Sequence, residues 1–247
     1  MKDSEHIEEE FIYGYHPVLE AIKQNKPIQK IILQSGDFDE HTKAIWKDLK
    51  GTEYIVQRWP KFKLDRLAKG KTHQGIFAVM SPVAFSSLEE VLVQVNEQEK
   101  VAKFLWLDGV SDVRNLGAII RSAACFDING LIIPAKSGAM LNSEVVKSSA
   151  GGIYHVPLIQ AKSVPNTLKI LSEQSIEVVS ITEKATEHVE SAATDQPVCL
   201  VLGDESKGIS REILDFSDHK FRINMGEKLG SLNVSVAAGI VLHQWFK

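Results

Sequence analysis

The chain is poor in the residues that staple, cross or repeat. It has two cysteines in 247 residues, Cys125 and Cys199, and no C-x-x-C pair. That excludes a disulfide framework and a thiolate zinc module. No apolar run reaches the length of a membrane span. The start, M-K-D-S-E-H-I-E-E-E, has the wrong sign for a secretory or mitochondrial address. The expectation is a soluble protein of a reducing, cytoplasmic compartment, with no membrane partner and no metal.

The familiar signatures of α/β enzymes are missing too. No G-x-G-x-x-G follows a strand pattern, so dinucleotide binding of that type is excluded. Gly70-Lys71-Thr72 looks like the end of a P-loop, but the glycine required five positions earlier is Asp65. Ser206 lies in G-D-E-S-K-G rather than in a G-x-S-x-G elbow. The eight histidines show no H-E-x-x-H or other close ligand spacing.

What is present is 44% hydrophobic and 24% charged, enough for a sizeable core. The net charge of −4 is unevenly spread. Residues 1–10 carry five acids and one lysine, and read as an acidic tail. Residues 11–85 carry twelve Lys/Arg against seven Asp/Glu, and residues 86–247 carry fifteen against twenty. A basic N-terminal unit on an acidic C-terminal one suggests a polyanion partner for the first. The densest stretch runs from Arg58 to Lys71, with six basic residues, one acid, and the aromatics Trp59 and Phe62. Arg58, Lys61 and Lys63 are its candidate RNA contacts, because phosphates want cations and unstacked bases want rings. The competing reading is a solvated helix face with Trp59 and Phe62 in the core.

The periodicity predicts two units. In 11–85 a short helix (13–22), a strand (28–33), a helix (40–49), a strand (53–57), the basic stretch and a strand (75–80) make a small α/β sandwich. Residues 86–100 read as an amphipathic linking helix. From 101 to 247 the expected strands are 101–108, 130–134, near 154–159, 177–182, 198–204 and 221–225. The expected helices are 115–126, 142–150, 165–174 and 231–246. V-A-K-F-L-W-L-D is nearly continuously apolar, as in a parallel strand covered on both faces. The last helix is apolar on almost every face, and so reads as buried or packed on a second subunit.

Three polar segments interrupt these strands. In open α/β sheets ligands collect at the carboxyl ends of strands. In 107–123, Asn115 is placed to cap a helix, and Arg121 follows six residues later in the apolar run A-I-I-R-S-A. A buried guanidinium needs partners, so Arg121 is either half of a structural ion pair or aimed at a phosphate or hydroxyl. In 200–210, Gly203 and Gly208 flank Asp204, Glu205 and Lys207. Such a loop repels anions and suits a cationic or hydroxyl-rich ligand; a plain β-turn is the alternative. In 224–239, Ser231 is placed to cap the last helix, with Asn233 in its first turn.

In this order and at these intervals the three segments resemble the SpoU family of the SPOUT superfamily. These are S-adenosylmethionine-dependent RNA 2′-O-ribose methyltransferases. The first motif is carried by Asn115-Leu116-Gly117 and Arg121-Ser122-Ala123, the second by Gly203, Glu205 and Gly208, the third by Ser231-Leu232-Asn233-Val234-Ser235. The N-terminal Y-G-Y-H-P-V-L-E-A-I and the H-Q-G-I at 73–76 are similar to the auxiliary RNA-binding domain of the 23S rRNA guanosine-2′-O-methyltransferase type. That domain resembles a small ribosomal protein. Proline is usual in the first motif where this chain has Val113, which leaves the loop before Asn115 less rigid.

The resemblance implies an α/β catalytic domain over 101–247 with a parallel sheet and a deep trefoil knot, and a homodimer. It implies catalytic roles for Asn115, Arg121, Glu205, Ser231 and Asn233. Gly203, Ile223 and Leu232 would line the pocket for S-adenosylmethionine, without metal. Whether Arg121 is a base or an electrostatic anchor stays open, since a guanidinium stays protonated in nearly all proteins. A guanosine of 23S rRNA is the substrate implied. A tRNA ribose, or a non-catalytic role in ribosome assembly, are the alternatives.

Overall fold

The computed structural model describes residues 11–36, 40–50, 52, 54–135, 139, 141–192, 195–226 and 230–246. The acidic segment 1–10 lies outside them. The chain divides into two compact units, one reaching to Ala84 and including Leu141–Ser143, the other Phe85–Met140 with Glu144–Lys247.

The first unit is a four-stranded mixed sheet with three helices. In chain order it runs β1 (Phe11–Tyr13), α1 (Tyr15–Lys23), β2 (Ile28–Gln34), α2 (Glu40–Leu49), β3 (Val56–Trp59), α3 (Lys61–Ala68) and β4 (Ile76–Met80). The sheet order is β1-β4-β2-β3. β2 and β3 are parallel, while β4 is antiparallel to both β1 and β2. Val18, Ile31, Leu33, Ile45 and Ile76 close its core and are fully buried. The expected helix at 13–22 proves to be a strand and a helix. Gly14, at φ 92°, makes the corner between them, a conformation that costs glycine little. The expected strand at 53–57 is shifted to Val56–Trp59, and the basic stretch resolves into its end and α3. Phe62 is 68% exposed, so the reading that buried it in the core is corrected.

The second unit begins with α4 (Leu88–Glu97), started by a reciprocal capping box between Ser87 and Glu90. This helix does more than link. Leu88, Val91, Leu92 and Val95 are buried in one cluster with Phe104 and Trp106 of the following strand. The chain continues through β5 (Lys103–Asp108), α5 (Val113–Cys125), β6 (Gly130–Pro134) and α6 (Ser143–Ser148). Then come a 3-10 turn (Gly152–Tyr154), β7 (Leu158–Ala161), α7 (Val164–Glu173), β8 (Glu177–Ile181) and β9 (Glu187–His188). After a second 3-10 turn (Val189–Ser191) follow β10 (Val198–Gly203), α8 (Arg211–Phe216), β11 (His219–Arg222) and α9 (Val234–Phe246).

All its strand pairs are parallel, in the order β7-β6-β5-β10-β8-β11-β9. Covered on both faces, β5 and β10 bury nearly every side chain, which is why they read as continuous apolar runs. Six of the seven strands are those expected. The seventh, β9, has two residues and leaves no period to detect. The expected strand near 154–159 starts later, at Leu158. Gly152 packs on the backbone of α5 and turns the chain as a 3-10 helix; a Cβ there would lie 3.2 Å from the Arg121 Cα. Gly130 on β6 leaves room for side chains of both neighbouring strands, since a Cβ there would stand 2.7 Å from Ile159 Cδ1 of β7 and 3.0 Å from Phe104 Cε1 of β5.

Candidate functional site

The sheet order reverses direction at β5. The chain leaves it for β6 and β7 on one side, and β10 occupies the other. At such a switch point the carboxyl ends of adjacent strands open a crevice. Three polar loops converge there, following β5, β10 and β11.

The first loop is fixed by Asp112. Its carboxylate accepts the backbone N–H of Arg114 and of Asn115, both at 2.8 Å. Asp112 is therefore the N-cap of α5, and the expectation that Asn115 caps it is corrected. Asn115 lies in the first turn, with its amide side chain free to point at the other loops. Val113 is the first helical residue, and the aspartate beside it supplies the start signal.

The second loop follows Gly203. A Cβ on Gly203 would sit 2.2 Å from the carbonyl carbon of Gly208 and 2.4 Å from Ile209 N. Only glycine lets the loop fold back on the strand end this tightly. Asp204 holds the turn closed by accepting from Ser206 Oγ at 2.5 Å, Ser206 N at 2.9 Å and Lys207 N at 3.0 Å. The Ser206 hydroxyl, with the two backbone N–H groups behind it, holds the Asp204 carboxyl below its ordinary value. Asp108, at the end of β5, accepts Ser210 N at 2.6 Å and ties the far end of this loop to the neighbouring strand.

The third loop leads into α9. Asn233 caps that helix: its Oδ1 accepts Ser235 N at 2.9 Å and Ser235 Oγ at 2.6 Å. The expectation that Ser231 is the cap is corrected. The helix starts at Val234, two residues later than a Ser231 cap would place it.

Glu205 joins the loops. Its Oε1 accepts Asn115 Nδ2 at 3.0 Å, Asn233 Nδ2 at 3.0 Å and Val234 N at 3.3 Å. Asn233 Nδ2 also reaches Asn115 Oδ1 at 3.0 Å. A carboxylate on the first turn of a helix is favourably placed for the dipole. Three of the five expected catalytic residues, from three distant segments, thus form one hydrogen-bonded group.

Beside it lies a cavity of about 110 Å³ at the carboxyl ends of β8, β10 and β11. Gly203, Ile223 and Leu232, the three expected cofactor contacts, all line it, together with Glu205 and Ser231. Its wall is mostly backbone and aliphatic side chain. Ser231 contributes to the wall but makes no hydrogen bond to the Glu205 group.

Arg121 is elsewhere on α5. Six residues turn a helix by about 600°, which puts Arg121 about 120° around from Asn115. It is exposed, and among the described residues it makes no hydrogen bond or ion pair. The expectation of a buried arginine is corrected, and the structural ion pair goes with it. The guanidinium lines a cleft of about 650 Å³ shared with Gln94, Ser149, Gly152 and His155. The small face of α5 beneath it is obligatory: a Cβ on Gly117 would overlap Ser148 Oγ at 1.8 Å. Sequence reasoning missed Asp108, Asp112 and the clamping role of Asp204. The signal for Asp112 is its position three residues before Asn115, the spacing of an N-cap.

Among the described residues, no group of three His, Cys, Asp or Glu side chains is placed to hold a metal, and no helix is long and apolar enough to cross a membrane.

Residues 102–243 match the SpoU rRNA Methylase family, and residues 11–86 match the RNA 2′-O ribose methyltransferase substrate binding domain. A protein of Staphylococcus aureus (strain MSSA476), assigned to the TrmH family of tRNA/rRNA methyltransferases, is 34% identical over 98% of this chain and 97% of its own. The SpoU methyltransferase AviRb from Streptomyces viridochromogenes, solved in complex with AdoMet, has the same fold. It gives a TM-score of 0.61 at 20% identity, covering 96% of this chain and 88% of that one. The TrmH/SpoU tRNA modifying enzyme of A. aeolicus is 26% identical with a TM-score of 0.53, over 64% of this chain and 81% of its own. With a family model covering more than half its residues and a full-length relative of this identity, the chain belongs to the SpoU rRNA methylase family.

Proposed function

We propose that the protein transfers a methyl group from S-adenosylmethionine to a ribose 2′-hydroxyl of RNA, most specifically a guanosine of 23S rRNA, in the cytoplasm. The observation that carries this reading is Glu205 Oε1, which draws Asn115, Asn233 and the start of α9 together beside the cavity lined by Gly203, Ile223 and Leu232.

The cavity suits the cofactor in its donor set. Backbone groups at strand ends and aliphatic walls recognise an adenine edge and its flat faces, and Glu205 favours a nearby sulfonium. When bound, S-adenosylmethionine supplies an already activated methyl carbon, so the chain's tasks are alignment and charge. Asn115 and Asn233, each locked by Glu205, present fixed amides to the acceptor ribose. Ser231 offers its hydroxyl from the cavity wall. As the O–C bond forms, the donor's C–S bond must break, leaving a neutral thioether, and the acceptor hydroxyl must pass its proton to solvent water. Arg121 binds the adjacent phosphate and stabilises the developing alkoxide, the electrostatic role that a permanent cation performs best.

The same reading includes a trefoil knot in the second unit and a homodimer. In support of the knot, Glu205 clasps Val234 N and so holds the segment after β11 against the loop after β10. In support of the dimer, α9 exposes Val236 and Ile240 one turn apart, at 50% and 39%. Arg58, Lys61 and Lys63 supply phosphate contacts in the first unit, and the aromatic Phe62 stands exposed between the two lysines. The auxiliary unit favours rRNA over tRNA as the target.

The test is methyl transfer from labelled cofactor, with a chelator present, to purified rRNA and tRNA from cells lacking the gene. Nucleoside digestion and mass spectrometry then identify the product. 2′-O-methylguanosine in 23S rRNA is expected. Label in tRNA alone would move the substrate, and label in neither would remove the activity.

A further inference from the structure

Two N-terminal segments, 13–22 and 73–76, have no part in the site above, yet the first unit brings them together. Gly14 N donates to Ile76 O at 2.9 Å, and Tyr15 N donates to Gln74 Oε1 at 2.9 Å. The junction carries three rings. Tyr15 lies 5.0 Å from His41 and 5.1 Å from His16 between centroids, and the two imidazoles are 6.5 Å apart. Both histidines are exposed and Tyr15 is half-buried.

A cavity of about 560 Å³, within the size range of small-ligand sites, is lined by residues that adjoin these rings rather than by the rings themselves. Thr42, which follows His41, and Gln74, which holds Tyr15, both line it. Its floor is rigid and polar. Thr42 Oγ1 donates to Gln74 O at 3.3 Å. Gly75 N donates to His73 Nδ1 at 3.0 Å, which leaves the proton on Nε2 to donate to Asp65 Oδ1 at 2.8 Å. Asp65, the one acid in the lining, is therefore occupied by a hydrogen bond of the floor itself. Gln74 and Gly75 are held at φ 52° and 70°, and a Cβ on Gly75 would press on Gln34 Cβ at 3.1 Å. Lys61 and Lys71 are exposed at the rim, and neither makes an ion pair among the described residues. By contrast, Arg58 lies over the Trp46 ring at 4.6 Å and Lys63 over Trp59 at 5.9 Å, each packed on its own unit.

Flat rings beside a polar pocket, with two cations at its edge, fit a nucleotide whose base is out of its stack. Aromatic faces take a base of any identity, and ammonium groups take its phosphates. A duplex keeps its bases stacked and offers only phosphate. We propose that the first unit holds an unstacked nucleotide of single-stranded RNA, with the base against Tyr15 and His41 and the phosphates at Lys61 and Lys71. The inference rests on the reading that the substrate is RNA. It adds that the first unit selects a loop or bulge, and does not merely attract charge.

The test uses the full chain and two fluorescein-labelled probes, a 12-nucleotide single strand and a 12-base-pair RNA duplex. His41→Ala and Lys71→Glu both alter exposed side chains. Each is expected to weaken single-strand binding about tenfold, the effect of losing one stacking partner or phosphate contact. Duplex binding should change less than twofold, and in rRNA methylation the loss should fall on KM. If both variants bind the single strand as the parent does, the cradle is refuted. If they lose strand and duplex equally, the residues contribute charge alone and the cradle is again refuted. A parent that binds neither probe and methylates no RNA would overturn the RNA reading itself.

Discussion

The two units use the same alternation of strand and helix for opposite ends. The first has a mixed sheet, a positive balance, and rings and lysines at its surface. The second has a wholly parallel sheet, a negative balance, and carboxylates that are spent on backbone N–H groups. Acid in the second unit builds geometry: Asp112 starts α5, Asp204 closes one loop, Asp108 anchors its far end and Glu205 joins three segments. Base in the first unit reaches its surface, with Lys61 and Lys71 exposed at the rim of its cavity. Charge is thus sorted by task, onto backbone N–H groups in the second unit and toward solvent in the first, which a net charge of −4 conceals.

The sharpest way to break this comparison is at Arg121, an exposed cation of α5 that makes no ion pair among the described residues. Arg121→Ala should lower methyl transfer by about 10²–10³, the scale of losing a preorganised donor at developing charge. Because the guanidinium is exposed and makes no ion pair among the described residues, melting should shift by no more than a degree or two. Arg121→Lys separates a point charge from a planar fork. Activity loss that tracks unfolding would return Arg121 to a structural role.

Reversing Arg58, Lys61 and Lys63 together to glutamate should weaken RNA binding by more than tenfold at low salt. It should also flatten the dependence of affinity on salt, while S-adenosylmethionine affinity stays at the parent value. Fluorescence anisotropy across a salt series, with calorimetry for the cofactor, checks both. Unchanged RNA affinity would make the first unit's charge an ordinary solvated face.

Gly203→Ala tests whether geometry or chemistry fills the second loop. The added Cβ would meet backbone at 2.2 Å, so the loop must open, at a cost of about 1–3 kcal/mol in thermal or denaturant unfolding. Cofactor affinity should fall with it. A variant as stable as the parent would show that the loop is looser than its contacts imply.

The smallest effect belongs to Asp204. Its carboxyl is held below the ordinary value by Ser206 and the turn's N–H groups. A depressed value means that the stabilisation is present above the unfolded carboxylate range and is lost as pH falls through the folded value. Cofactor affinity should therefore be flat near neutrality and decline only in acid. Asp204→Asn should remove that acid limb while lowering affinity a few-fold at pH 7, read by calorimetry at several pH values. An acid decline that survives in the variant would assign it to another group.

Much of the second unit was legible because buried parallel strands write themselves as apolar runs, and because Asn115, Glu205 and Asn233 recur in recognisable segments. The contacts among them were not legible. They join positions 90 and 118 residues apart, and no local pattern carries that distance. The misplaced caps have a simpler cause. Asp112 and Asn233 each stand close to another residue able to cap, and only the register of the first turn decides between them. Arg121 misled because an arginine within A-I-I-R-S-A reads as buried, although a helix with one solvent face accepts apolar neighbours on either side of an exposed residue. In the first unit β1 is three residues long, too short for alternation to show.

The sparse cysteines acquire a practical meaning. Cys199 is fully buried on β10, and burial raises its thiol far above the range in which thiolate forms. Cys125 is exposed at the end of α5, in the same cleft as Arg121. A maleimide dye added to the native enzyme should therefore attach at one place without any engineered thiol. That place is one helical turn from the guanidinium, so the fluorescence of the label would report in real time when RNA, or a second copy of the chain, covers this cleft.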